Sequence, residues 1–412
     1  MKKWMSLLLA AAMTMSLLAG CAGSNAGSTD STDATAGTET TESADTETAD
    51  TAAASGETFK IGGIGPVTGG AAVYGLAVKN ATELAINEVN EDGGINGYQV
   101  EFKFEDDEND AEKTLNAYNA LKDWGMNILV GTVTSTPCVA VANETAADNM
   151  FQLTPSGSAT ECVANPNVFR VCFSDPNQGT AAAQYIGEHK LATKVAIIYD
   201  SSDVYSSGIT QNFTAEAANQ GIEIVSSEAF TADNNKDFSV QLQKAKDGGA
   251  ELVFLPIYYT EASLILAQAN KAGFSPKWFG CDGMDGILDL EGFDASLAEN
   301  LMFLTPFTAN ATDDATQKFV ADFKDAFGDT PIQFAADAYD CVYAIKAAAE
   351  KENITPDMSA SDICDALKKG MTEITYDGLT GKSITWSEDG EPTKDPTVVV
   401  VQNGEYQVLE AK

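Results

Sequence analysis

The sequence predicts an α/β protein of two lobes, each a parallel sheet covered by helices, with a cleft between them. Three observations carry this expectation. Short apolar runs alternate with amphipathic segments from Thr58 onward, the pattern of strands that lie parallel with both faces buried. The alternation breaks near Asp175-Pro176 and then begins again, so two similar β/α blocks follow one another without a sequence repeat. Thr58–Lys412 is also long enough for two such units.

The first block opens with a strand over Phe59–Ile64. A helix over Leu76–Asn90 follows, with Ala81, Leu84, Ala85 and Val89 on one face, and Gly93-Gly94 stops it. Val100–Phe104 reads as a strand, Ala111–Trp124 as a helix, Ile128–Gly131 as a strand and Val139–Asn149 as a helix. In the second block the strands are Val195–Tyr199, Glu223–Ser227 and Leu252–Leu255, separated by helices near Ser206–Gln220 and Phe238–Lys246.

Ahead of these blocks the chain has a different character. Lys2 and Lys3 precede an apolar run from Trp4 to Leu18, and small residues follow. That order describes an export signal, here residues 1–20, and the run is too short for a good membrane span. Leu18-Ala19-Gly20-Cys21 resembles a bacterial lipobox, which implies that Cys21 is lipidated and anchors the mature chain to a membrane. Residues 21–57 form an acidic, Ser/Thr-rich tether. Ala22–Glu57 has no aromatic, basic or branched aliphatic residue, so it cannot bury enough apolar surface to offset its ordering entropy. As a flexible coil it spans roughly 30 Å.

Charge and composition exclude several functions. Acids outnumber bases by 61 to 24, which opposes binding to nucleic acid or to anionic lipid. Cys138, Cys162, Cys172, Cys281, Cys341 and Cys364 show no metal-ligand spacing, although a Cys162–Cys172 bridge is open. The one histidine, His189, reads as a helix-end residue, which removes Ser-His-Asp hydrolysis and His-rich zinc sites. Gly63, Gly65 and Gly69 have the wrong spacing for a dinucleotide-binding turn, and Pro66 intrudes. No cofactor, metal or catalytic residue is expected.

The stretch Ile64-Gly65-Pro66-Val67-Thr68-Gly69-Gly70, then Tyr74-Gly75, then Asn87–Asn96, resembles the start of the leucine/isoleucine/valine-binding family of type I periplasmic binding proteins. In order there follow Val130-Gly131-Thr132, Thr154-Pro155-Ser156, Phe169-Arg170, Asp175–Gly179, Tyr258-Tyr259 and Gly280-Cys281-Asp282-Gly283. Ala335–Asp340, Gly378–Gly381 and Trp386–Gly390 complete the set. The resemblance implies a two-lobed Venus-flytrap fold with three hinge crossovers, near Cys172–Pro176, Leu304–Phe307 and Tyr376–Gly381. The first lobe would hold residues 58–174 and 306–377, and the second 175–305 and 378–412. It further implies a monomeric, extracytoplasmic solute-binding protein that delivers a small amino acid, branched-chain or related, to the permease and ATPase of an ABC importer. A receptor subunit for a sensor, or a binder of another carboxylate or amide, uses the same fold.

A zwitterion needs donors for its carboxylate and an acidic partner for its ammonium. Thr134 and Ser135 lie in the loop after the strand ending at Gly131, and Ser135 precedes a helix whose N-terminus suits an anion. By the resemblance, Ser135 takes the carboxylate, Gly157 offers backbone atoms, and Ser158 bonds the head group. Asp282 falls at the position of the acid that pairs with the ammonium, with Asp285 the competing acid. Tyr74, Tyr205 and Tyr258 match positions that line the cleft. The chain departs from the branched-chain binders in having Tyr rather than Trp at position 74 and Asp rather than Glu at 282.

Overall fold

A computed structural model describes residues 56–409. The expected signal, Cys21 and nearly all of the tether lie outside the described residues.

In chain order the first sheet comprises β1 (Phe59–Gly65), β2 (Val100–Asp106), β3 (Ile128–Gly131), β4 (Gln152–Thr154) and β5 (Val168–Arg170). Its order is β2-β1-β3-β4-β5 and every pairing is parallel. The interleaved helices are α1 (Ala72–Glu91), α2 (Ala111–Trp124) and α3 (Ser135–Asp148). The second sheet follows α4 (Asp175–Glu188) with β6 (Lys194–Asp200), α5 (Val204–Ala217), β7 (Glu223–Phe230), α6 (Ser239–Asp247), β8 (Leu252–Leu255), α7 (Tyr259–Lys271), β9 (Lys277–Gly280) and β10 (Met302–Thr305). Then come α8 (Asp314–Phe327), α9 (Gln333–Lys351) and α10 (Ala360–Glu373), and finally β11 (Thr397–Gln402) and β12 (Glu405–Val408). The order β12-β11-β10-β9-β8-β6-β7 is parallel except at β11, which runs antiparallel to both of its neighbours.

The helix read over Val139–Asn149 starts four residues earlier, at Ser135. Pro137 falls in its first turn, where the N–H that proline lacks has no helical partner in any case. The strands β2 and β7 run on to Asp106 and Phe230 because their backbones stay paired with β1 and β6 beyond the apolar stretch that signals them.

Helix α9 returns to the first lobe. Its Cys341, Val342, Ile345 and Ala348 join one core with Phe59, Ile61 and Val89. Asp340, on the same helix, accepts from the hydroxyls of Tyr376 and Thr380 and from the N–H groups of Leu379 and Thr380, at 2.6–3.0 Å. This explains why the Asp340 and Gly378–Gly381 motifs belong together: one carboxylate knots the turn.

The expectation that the chain joins the second lobe from Gly378 onward is corrected. Ile384 and Trp386 are buried in the core of the first sheet. The Trp386 indole donates to Arg170 O at 2.7 Å, and Arg170 N donates to Gly390 O at 3.1 Å. The edge strand β5 offers unpaired backbone there and the two apolar side chains need cover, so the segment packs on β5 before β11 enters the second sheet. Between these segments Lys394, fully buried, pairs with Asp337 of α9 at 2.9 Å.

Candidate functional site

In open parallel sheets, ligands bind in the crevice beyond the carboxyl ends of the strands. Six such loops converge here. From the first sheet come the turn after β1 leading to Tyr74, the turn after β3 ending at Ser135, and Pro155–Ser158 after β4. From the second come Ser201–Asp203 after β6, Ile257–Tyr258 after β8, and Cys281–Asp285 after β9.

The two faces are pressed together. The Tyr74 hydroxyl donates to Gly283 O at 2.6 Å and accepts from Tyr259 N at 3.2 Å. Thr260 Oγ1 donates to Gly70 O at 2.6 Å, and Thr136 Oγ1 donates to Asp203 Oδ1 at 2.8 Å. From α9, Gln333 Nε2 donates to Asp282 O at 2.9 Å. Aromatic rings fill the seam: Tyr74 stacks on Phe334 at 4.2 Å and meets Tyr258 and Tyr259 edge-on, while Tyr205 stacks on Tyr258 at 5.0 Å. Such pairs add about 0.5–1.5 kcal/mol each beyond their area burial. Position 283 admits only glycine, since a Cβ would lie 2.8 Å from the Tyr205 hydroxyl and 2.9 Å from Ile257 O.

Ser135 and Ser158 meet, their hydroxyl oxygens 3.5 Å apart. Ser135 Oγ accepts from Ser158 N and Ala159 N, both at 3.1 Å, which leaves its own proton free to donate. It stands at the first turn of α3, where the unpaired N–H groups carry partial positive charge. The Thr134 hydroxyl beside it is buried without a partner. Gly157 differs from expectation: its N–H is bonded to Thr154 Oγ1 at 2.8 Å and its carbonyl to Arg170 Nη1 at 3.1 Å. Its role in this geometry is to bring the chain close, for a Cβ there would meet Cys138 Sγ and Thr154 Oγ1, each at 2.8 Å.

Asp282 is buried, with Oδ1 accepting from the Tyr205 hydroxyl at 2.7 Å and its N–H donating to Gln178 Oε1 at 3.1 Å. Burial pushes its carboxyl up to about 6, against the lowering effect of the Tyr205 hydrogen bond. Asp285, the competing acid, is committed elsewhere. It accepts from Gln333 N at 2.8 Å and from Gly286 N at 3.0 Å, and so serves the start of α9. Tyr258 lies against Asp203; burial first, and that carboxylate second, raise the phenol above its ordinary range.

Three residues received no role from the sequence. Asp175, 1% exposed, has both carboxylate oxygens without a hydrogen-bond partner, and Gln178 Nε2 is likewise unpartnered. Burial raises Asp175 well above the carboxylate range; Ser158 and Arg170 oppose this, and Asp282 and Asp203 add to it. Gln333 is the third. Asp175 and Gln178 stand inside the Asp175–Gly179 motif, so their presence was legible, but not the direction they face. The six described cysteines are free thiols, and the burial of Cys162 sets it beside Cys138 and Ala159 rather than Cys172. Among the described residues no group of three metal-ligating side chains forms.

Residues 58–405 match the family model described as periplasmic binding protein. A Leu/Ile/Val-binding protein homologue of Brucella melitensis is 31% identical over 80% of this chain and 88% of its own. A Pseudomonas aeruginosa protein described as binding leucine, isoleucine, valine, threonine and alanine is 27% identical over 81% of this chain and 87% of its own. Among solved structures, the leucine-binding protein LivK of Thermotoga maritima superposes with a TM-score of 0.77 at 25% identity, covering 86% of this chain and 98% of the other. LivJ of Streptococcus pneumoniae, a branched-chain amino acid transporter substrate-binding protein in complex with isoleucine, does so with a TM-score of 0.77 at 26% identity, over 86% and 99%.

Proposed function

The chain belongs to the periplasmic binding protein family, extracytoplasmic solute-binding components of ABC transporters rather than enzymes, and from that premise we propose that it captures a small L-amino acid and presents it to a membrane importer. The observation that carries the reading is the polarity of the closed seam. On one side stand the Ser135 and Ser158 hydroxyls at the first turn of α3, suited to a carboxylate. On the other stands Asp282, suited to an ammonium, while the unpartnered Asp175 lies beside Ser158, its N–H donating to Ser158 O at 2.9 Å. A solute bearing only a carboxylate would face two buried acids with nothing to offer them, which weighs against a simple organic acid.

Tyr74, Tyr205 and Tyr258 wall the side chain, and Gly157 shapes the loop behind it. The named relatives make branched-chain amino acids the first candidates, and the Tyr at 74 and the shorter acid at 282 widen the set. Ligand bound in the seam touches both lobes only when they are shut, so binding shifts the population toward the closed form, the form a permease and its ATPase would read. In this reading the lobes divide near residues 174, 305 and 394, the protein works as a monomer, and a lipid on Cys21 holds it to the membrane.

The test is calorimetry of the purified protein, stripped of ligand by partial unfolding, against the common L-amino acids. Saturable binding of a subset, lost in Asp282→Ala, supports the reading. Silence toward every amino acid would sink the head-group argument.

A further inference from the structure

We propose that the solute carries a second cationic group besides its α-ammonium, as a diamino acid does, and that Asp203 is the residue that selects it. This rests on the amino-acid reading above and narrows it.

The argument begins with a charge balance. A neutral amino acid brings one positive and one negative charge, so it adds no net charge to the seam. Its ammonium answers one carboxylate, and its carboxylate needs the serine hydroxyls. Yet three acids share this space: Asp282, Asp175 and, partly buried at the edge, Asp203, with Asp282 and Asp203 both close enough to raise the proton affinity of Asp175. The basic side chain beside them is committed. Arg170 pairs with Glu391 at 2.9 Å and donates to the carbonyls of Gly157 and Ser158. Both oxygens of Asp175 remain without a partner although the residue is 1% exposed. Buried carboxylates whose one neighbouring cation, Arg170, is shared with Glu391 are unfavourable until a further cation arrives.

Geometry says where the second cation would sit. A cavity of about 270 Å³ opens at the mouth of the seam, lined among others by Glu108, Asp200, Asp203 and Glu261. None of the described residues that line it is basic, although Lys113, outside the lining, pairs with Glu108 at 2.6 Å. Asp203 and Tyr258 belong both to this cavity and to the closed seam, so a side chain running out past Tyr258 enters the cavity beside Asp203. The space is several times that of a water molecule and accommodates an aminoalkyl tail. Asp203 Oδ1 meanwhile accepts from Thr136 of the opposite lobe at 2.8 Å, so the residue that would hold the cation also takes part in the contact that closes the seam.

Titration calorimetry at pH 7.5 with L-lysine, L-ornithine, L-leucine and L-norleucine decides it, because norleucine is the lysine chain without its terminal amine. At least one diamino acid is expected to bind tenfold or more tightly than both neutral ones. In Asp203→Asn, which keeps an acceptor for Thr136, that ratio is expected to fall below threefold. Leucine or norleucine binding as tightly as the diamino acids overturns the proposal and leaves amino-acid capture standing. A diamino preference that survives Asp203→Asn overturns the assignment to Asp203. Binding of none of the four, nor of any other amino acid, removes the amino-acid reading and this one with it.

Discussion

Replacing Asp282 with asparagine should make the ligand-free protein more stable and the ligand-binding protein worse. The carboxyl rises from an ordinary 3.8 to about 6 because burial disfavours its charge. The folded state therefore holds this proton more tightly than the unfolded chain does. The resulting penalty is small near pH 4, grows as pH rises through 6, and reaches about 3 kcal/mol at neutral pH. Asparagine is isosteric, keeps an acceptor for the Tyr205 hydroxyl and carries no charge. The expected gain is about 1–3 kcal/mol at pH 7.5, shrinking to about 0.5 kcal/mol at pH 4. Binding should move the other way, since a buried ammonium left facing a neutral amide loses about 3–5 kcal/mol, or at least roughly 100-fold in affinity. Urea unfolding of both proteins without ligand, at pH 7.5 and pH 4, measures the first effect, and calorimetry the second. A stability change independent of pH, or an affinity within threefold of the parent, would refute the reasoning.

Three other substitutions probe separate parts of the structure. Ser135→Ala strips the acceptor from two buried N–H groups, those of Ser158 and Ala159. It should cost about 1–3 kcal/mol of stability and weaken ligand binding at least tenfold, read by thermal midpoint and calorimetry. Thr136→Val removes the 2.8 Å bond to Asp203 across the seam, so ligand should leave roughly fivefold faster in stopped-flow, for about 1 kcal/mol of closed-state stability. Lys394→Met leaves Asp337 buried without its partner and should lose about 3–5 kcal/mol in urea unfolding, whereas adding Asp337→Leu should restore most of it. An unchanged midpoint in the single variant would show that the pair does not hold the segment to α9.

Much of the architecture was legible because the strands are short, apolar and bounded. Ile128–Gly131, Leu252–Leu255 and the helix Ala111–Trp124 are found at the residues where periodicity and capping put them. The start of α3 was missed because Ser135-Thr136-Pro137 reads as a loop by composition, although proline belongs in a first helical turn. Trp386 was assigned to the wrong lobe because its partner, the carbonyl of Arg170, lies 216 residues away in the chain.

The seven proposed site residues were legible as motifs, and the structure brings them to one seam. What each does there was not legible. Gly157 looks like a backbone donor in sequence, but Thr154 has already taken its N–H. The resemblance put Asp282 ahead of Asp285 without excluding it, and the start of α9, arriving from the far side, takes Asp285 and leaves the Asp282 carboxylate in the seam.

By itself, then, the sequence determined the β/α order and the residue types at the strand ends, because these depend on local periodicity and composition. The choice between two acids, the unpartnered state of Asp175 and the acidic cavity beside Asp203 were decided by tertiary structure. A carboxylate's role depends on which donors reach it, and here those donors come from elements far away in the chain.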